Sequence, residues 1–208
     1  MMAGLIGKKI GMAQIFTEQG KAVGVTVLEV GPCPVVQIKT KERDGYEAIQ
    51  LGFGRRKERR VKRPEAGHAA RAGLDYSPSV LVEFEPEEGR EYEVGEELTV
   101  EMLEVGQKVR ITGPTKGRGF QGTVKRHGFA GGRGSHGGTS ILRKPGSIGP
   151  GTDPSRVIKG RKMAGQMGNT KRTAMSRTVE RIDAEQNLLV VRGSVPGSRD
   201  NYVVIRTG

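Results

Sequence analysis

Apolar and polar positions alternate in short bursts through the first quarter of the chain. Leu5-Ile6-Gly7 and Ile10-Gly11-Met12, with Gln14-Ile15-Phe16, read as a short strand, a turn and a second strand. A turn at Thr17-Glu18-Gln19-Gly20 leads into residues 22–30, where β-branched side chains fit a strand and Gly24 marks a bulge or close approach. Pro32 and Pro34 confine the neighbour of that strand to an edge or corner. Residues 35–40 predict a fourth strand, and Asp44-Gly45 turns the chain into an alternating run from Tyr46 to Phe53. Short strands at this spacing, with glycine corners, predict a small closed or nearly closed β-barrel, an arrangement that removes exposed sheet edges. Pro64 opens a short helix over 65–72, stopped by Gly73. Further strands are predicted over 94–100 and 107–112, with a turn at Gly106. The β pattern returns over 178–183, 188–192 and 202–206, with turns between.

Between these flanks the pattern stops. Residues 113–178 show no sustained helical or alternating period, so they cannot bury a core of their own. They carry 14 Lys or Arg against one acid, Asp153, and 16 of the chain's 33 Gly. That is +13 in a chain whose total is +12, so everything outside sums to −1. So dense a charge repels itself, and glycine adds backbone entropy that ordering must remove. A polyanion offsets both, and nucleic acid suits the residue types: Arg and Lys neutralise phosphates while Gly lets the backbone come close. A solvated linker is the alternative, but apolar anchors such as Phe120, Phe129, Ile141, Ile148 and Ile158 interrupt the charges, which linkers rarely show.

Other charge runs add less. Residues 55–63 hold seven cations and Glu58, either a solvated loop or a second phosphate contact. From Glu83 to Glu104 the sign reverses, with ten acids against Arg90 alone. No His lies among those carboxylates to give them a catalytic or metal pattern, so they read as a solvated face directed away from nucleic acid. Trp is absent and aromatics make up 4%, which argues against base stacking on a broad aromatic platform. The single Cys33, between Pro32 and Pro34, excludes an intramolecular disulfide and a multi-cysteine zinc site and reads as a small buried apolar residue. Lys8 and Lys9 break the opening apolar run, and no run approaches the ~20 residues of a membrane span. The expectation is a soluble, intracellular, cytoplasmic protein.

Catalytic motifs fail on context. Gly117-x-Gly119-x-x-Gly122 matches a dinucleotide fingerprint, but no apolar helix follows and no acid lies near 20 residues downstream. Ser135-His136 lacks an orienting carboxylate. His68, His127 and His136 are too scattered for a metal site; His127 and His136 either bond phosphate, 2′-OH or a base edge, or serve as exposed spacers. Neither catalytic residues, nor a metal, a cofactor or a small-molecule substrate is expected.

Seven stretches resemble one family in its own order. They are Gly7-Lys8-Lys9-Ile10-Gly11-Met12-Ala13-Gln14-Ile15-Phe16, Gly31-Pro32-Cys33-Pro34-Val35-Val36-Gln37, Asp44-Gly45-Tyr46-x-Ala48-x-Gln50-x-Gly52, Lys116-Gly117-Arg118-Gly119-Phe120-Gln121-Gly122, Ser135-His136-Gly137, Pro145-Gly146-Ser147-Ile148-Gly149, and the run from Lys159 to Gly168. Together they resemble the bacterial form of the large-subunit ribosomal protein numbered three. The resemblance implies a barrel shared with translation factors and a long extension threading large-subunit rRNA toward the peptidyl transferase centre. It implies a non-catalytic role in early assembly, and neighbours that include large-subunit proteins fourteen and nineteen. Pro150 and Leu142 depart from it: many members carry a methylatable Gln at the first position, and the family often has His at the second.

The fold expectation is mainly β: a small translation-protein-like barrel with a small α+β insertion and a long irregular basic extension. Residues 1–112 supply the first part of the barrel with the insertion at about 55–92. Residues 113–178 are the extension, and 179–208 are the closing strands. On this reading the rRNA-binding side chains are Lys116, Arg118, Gln121, Lys125, Arg126, Arg133, His136, Arg143, Lys144, Arg156, Lys159, Arg161, Lys162, Gln166, Lys171 and Arg172. Gly117, Gly119, Gly131, Gly132, Gly146 and Gly165 allow close passage of backbone and RNA. A general nucleic-acid packaging protein, a dinucleotide-binding enzyme and a β domain with an inert tail remain the alternatives.

Overall fold

The computed structural model describes residues 4–17, 19–87, 89–138 and 140–207; Glu18 of the first turn and Glu88 of the acidic run lie outside the described residues. The chain divides into two compact units, one built from the segments up to Thr115 and from Lys171 onward, the other from Lys116–Thr170.

In the first unit, β1 (Gly4–Phe16) runs unbroken where two strands and a turn were predicted. Gly7 lies inside it, where a side chain would meet the Glu29 carbonyl oxygen at 2.8 Å and Val30 at 3.0 Å. Gly11 marks a bulge, where the register against β2 (Ala22–Val30) slips between Lys9 and Gly11. A bulge bends the strand and raises its twist, which closure of a small barrel requires. Strands β3 (Cys33–Lys39), β4 (Ala48–Arg55), β5 (Pro78–Phe84) and β6 (Glu97–Leu98) follow, then β7 (Lys108–Pro114). Past the second unit come β10 (Lys171–Asp183), β11 (Leu188–Arg192) and β12 (Tyr202–Thr207).

Six strands close a barrel in the order β1-β12-β7-β10-β11-β2, so the mainly β expectation holds. Residues 35–53, expected in that barrel, instead join a four-stranded sheet ordered β5-β4-β3-β6. Alternation satisfies either sheet; only tertiary pairing separates them. Asp44-Gly45 turns the chain as expected, but as the end of a one-turn helix α1 (Lys41–Asp44), with Gly45 at φ 82°. The insertion between β4 and β5 holds a 3₁₀ turn at Glu58–Arg60 and helix α2 (Arg63–Arg71), which starts two residues earlier than predicted because Glu65 reaches back to the Lys62 N–H at 3.0 Å. Residues 171–178, read as the end of the extension, are the first half of β10, paired from Lys171↔Pro114 to Thr178↔Lys108. Most of these side chains are exposed, so no apolar alternation announced the strand.

One continuous core fills this unit, joining Leu28, Ile111, Leu189 and Ile205 of the barrel to Val35, Leu51 and Leu98 of the sheet. On the sheet's polar side Glu83 accepts from Lys39 at 2.7 Å and from the Tyr46 hydroxyl at 2.9 Å. Hydrogen bonding to Lys39 holds the Glu83 carboxyl below its ordinary range and raises the Lys39 ammonium. The acidic run is therefore tied to the fold at its start. No helix among the described residues is long and apolar enough to cross a membrane.

Cys33 belongs to the same core, fully buried, its Sγ–H donating to the Ile6 carbonyl at 3.3 Å. Burial pushes this thiol from an ordinary 9.0 up to about 12. The unfolded thiol therefore loses its proton first, and above pH 9 the unfolded state binds fewer protons than the folded one. Stability from this group is complete below pH 9 and is lost as pH rises from there toward 12. In urea unfolding the advantage of wild type over Cys33→Ala is expected to shrink by about 1.4 kcal/mol per pH unit in that window. A constant advantage between pH 8 and pH 10.5 would contradict this.

Candidate nucleic-acid interface

The second unit has a small tied base. Residues 116–121 run antiparallel to 165–169: the Arg118 N–H donates to the Met167 carbonyl and the Met167 N–H to the Gly119 carbonyl, each at 2.9 Å. Two short strands, β8 (Phe120–Gln121) and β9 (Gly165–Gln166), complete the pairing. Helix α3 (Thr123–His127) follows, and from it Arg126 donates to the Met163 carbonyl at 2.7 Å. His127 Nε2 lies 2.9 Å from the same oxygen. The fingerprint glycines thus open a single helical turn within an irregular unit.

Beyond this base the chain is open. Every described residue from 140 to 162 is exposed, including Ile141, Leu142, Ile148, Val157 and Ile158. Its hydrogen bonds are mostly short-range, such as Lys144 N–H to Ile141 O at 3.1 Å and Ser147 Oγ–H to Gly149 O at 3.0 Å; longer ties include Gly132 N–H to Leu142 O at 3.1 Å and Arg161 Nη2 to Ser147 O at 2.8 Å. A chain left to itself would cover such apolar side chains.

The sequence-predicted residues fall into distinct groups. Lys116, Arg118, Lys125, Arg133, Arg143, Lys144, Arg156, Lys159, Arg161 and Lys162 are exposed, and among the described residues none of them forms an ion pair. Their unit contains one acid, Asp153. Arg126 is half-buried on the Met163 carbonyl, a structural tie that leaves less of its guanidinium for a ligand. Gln121 and Gln166 each donate from the side-chain amide to a carbonyl of the base, Arg118 and Met167 respectively. His136 is exposed with φ 54°. Lys171 and Arg172 are exposed on β10, in the barrel unit.

The glycines also separate. A side chain at Gly131 would overlap the Leu142 carbonyl, and one at Gly132 would lie 2.8 Å from the Ile141 carbonyl oxygen. At Gly165 a Cβ would come 2.7 Å from Arg126 Nη1. These three have reasons inside the protein. Gly119 and Gly146 face open space but hold φ 66° and 78°, a left-handed backbone that favours glycine, and Gly117 makes only an ordinary contact with Asn169.

The structure also pairs cations the sequence left apart. Arg110 on β7 lies directly opposite Arg206 on β12, and Arg206 stands 5.3 Å from the centre of the Phe84 ring. They line a cleft of about 700 Å³ with Thr112 and Thr173, whose hydroxyls are 2.9 Å apart. No local pattern links two such distant strands. Among the described residues no group of three His, Cys, Asp or Glu could hold a metal ion.

This arrangement is a cationic, largely uncovered surface rather than a reaction site. Ten exposed cations repel one another, and a surrounding polyanion relieves that repulsion while releasing its counterions. Comparison with known proteins agrees with the charge. A model of the family "Ribosomal protein L3" matches residues 92–188. The large ribosomal subunit protein uL3 of Laribacter hongkongensis is 49% identical over 207 residues, covering 99% of this chain and 96% of that one. The proteins of the same name from Neisseria meningitidis and Syntrophobacter fumaroxidans are 50% and 47% identical, each covering 99% of this chain and 97% of their own. The chain therefore belongs to the ribosomal protein L3 family.

Proposed function

We propose that this protein is a structural, non-catalytic constituent of the large ribosomal subunit in the cytoplasm, and that it binds large-subunit rRNA directly. The ten exposed cations of residues 116–162, with Lys171 and Arg172, grip phosphates, while Gly119 and Gly146 leave room for backbone to pass RNA. His136 and the unspent carbonyl oxygens of Gln121 and Gln166 meet sugars or base edges. Arg serves where a planar, bidentate grip is needed. The chain supports early assembly and buttresses rRNA near the peptidyl transferase centre, beside neighbouring large-subunit proteins. The observation that carries this reading is the uncovered run from 140 to 162, where exposed apolar side chains alternate with unpaired cations. Such a surface orders fully only against a partner that takes up both.

Reversing charge in that run tests it. Arg161→Glu with Lys162→Glu is expected to deplete large subunits in sucrose gradients of cells relying on the variant, with the far-UV circular dichroism of the purified protein unchanged. Normal subunit yield would contradict the reading, and loss of the β spectrum would make both residues structural. Equal affinity for duplex DNA and rRNA in salt-matched competition would favour a packaging protein instead.

A further inference from the structure

The barrel unit is near neutral in sum but not in arrangement. Residues 55–76 carry eight Lys or Arg against three acids, while residues 83–104 carry ten acids against one Arg. The opposite charges are concentrated in separate stretches of the sequence. Within the basic stretch, two of the three acids are already engaged: Glu58 lies 3.7 Å from Arg55, and Glu65 lies 2.5 Å from Arg56. The third, Asp75, is exposed with no ion pair among the described residues. Lys57, Arg59, Arg60, Lys62 and Arg63 are exposed and likewise form no ion pair there.

These five cations sit on a held backbone. The Arg56 N–H donates to the Ser77 carbonyl, and the Arg60 and Val61 N–H groups close the 3₁₀ turn onto Lys57 and Glu58, each at 2.9 Å. Glu65 binds both Arg56 and the Lys62 N–H, joining that turn to the start of α2. Arg55 stacks over the Tyr76 ring at 5.8 Å. Folding does not account for the free charges. Lys62 caps the start of α2 and Arg63 is its first residue, the end where the helix dipole disfavours cations. Glu65 in the first turn is the one carboxylate at that end, and it already serves Arg56 and the Lys62 N–H, so an outside anion would relieve the remaining like charges.

We infer that residues 57–63 form a second RNA contact, on the barrel unit and separate from the extension, whose ligand is the phosphate backbone. This deepens the proposed rRNA binding and rests on it. Exposed cations without aromatic or amide partners between them suit phosphates rather than base edges, so the contact positions the body without reading sequence.

The test is salt-dependent filter binding of the full chain to large-subunit rRNA. One variant changes Lys57, Arg59, Arg60, Lys62 and Arg63 to Gln. A control changes Lys144, Arg156, Lys159, Arg161 and Lys162 to Gln. Each is expected to lower the slope of log K against log salt by about four, at roughly 0.7–0.9 per phosphate contact. An unchanged slope in the first variant, with the control reduced, overturns the second contact and leaves the extension reading standing. Unchanged slopes in both overturn rRNA binding itself. An unchanged slope together with lost binding to an acidic ribosomal protein would assign the patch to that protein and overturn the inference. If the five-site variant misfolds by circular dichroism, Arg59→Gln with Arg60→Gln, confined to the 3₁₀ turn, is expected to lower the slope by about one and a half; no change there overturns it equally.

Discussion

Leu28→Ala and Leu189→Ala are each expected to destabilise the RNA-free chain by about 2–5 kcal/mol, and the double variant by less than their sum. Both side chains are wholly buried, and the two residues face each other in the register between β2 and β11. Removing either leaves a void in the wall the other lines, so the second truncation enlarges a cavity already present instead of opening a new one. The pair also joins the chain's two ends. Leu28 precedes the second unit and Leu189 follows it, so their coupling reports whether the barrel closes across the insertion. Urea unfolding followed by far-UV circular dichroism measures all three losses. Additivity within ~0.5 kcal/mol would place the two side chains out of contact and refute the register. Against a total stability of roughly 5–15 kcal/mol, either variant removes a substantial fraction.

What the sequence revealed follows from how each force is encoded. The short apolar runs became β11 and β12 nearly residue for residue, because alternation and branching report burial on one face. Charge segregation was equally plain, since counting needs no geometry. Glycine was harder to read. The turn expected near Gly7 does not occur: Gly7 sits inside the unbroken β1, where the Glu29 carbonyl leaves no room for a side chain. Gly131 and Gly132 looked like room for RNA, yet their nearest constraint is the chain's own carbonyls at Leu142 and Ile141. A glycine marks a close approach without saying what approaches. Partnering was illegible for the same reason: nothing near Arg126 foretells the Met163 carbonyl, and nothing near Arg110 foretells Arg206. Strand β10 hid its first half because residues 171–178 have ladder partners without an apolar face.

The largest change is expected from removing the extension altogether. Lys171 pairs with Pro114 across the neck of the insertion, so replacing residues 115–170 with Asn-Gly joins β7 to β10 by a two-residue hairpin turn. The six barrel strands and the four-stranded sheet lie wholly outside the deleted segment, and so does the core cluster they share. The shortened chain should therefore unfold cooperatively with its β spectrum intact. Its affinity for large-subunit rRNA should fall by at least ~10³ at 50 mM salt, because up to ten phosphate contacts are lost together. The salt slope should fall by as much as ~7–9 over the same comparison, leaving only what the barrel unit supplies. That residual slope is informative in itself. A value near zero would mean the body touches no phosphate, whereas a value of roughly five to six matches the five cations of residues 57–63 together with Lys171 and Arg172, which the shortened chain keeps. Unfolding of the shortened chain would show instead that the barrel depends on its insertion, against the separation of the core from residues 116–170.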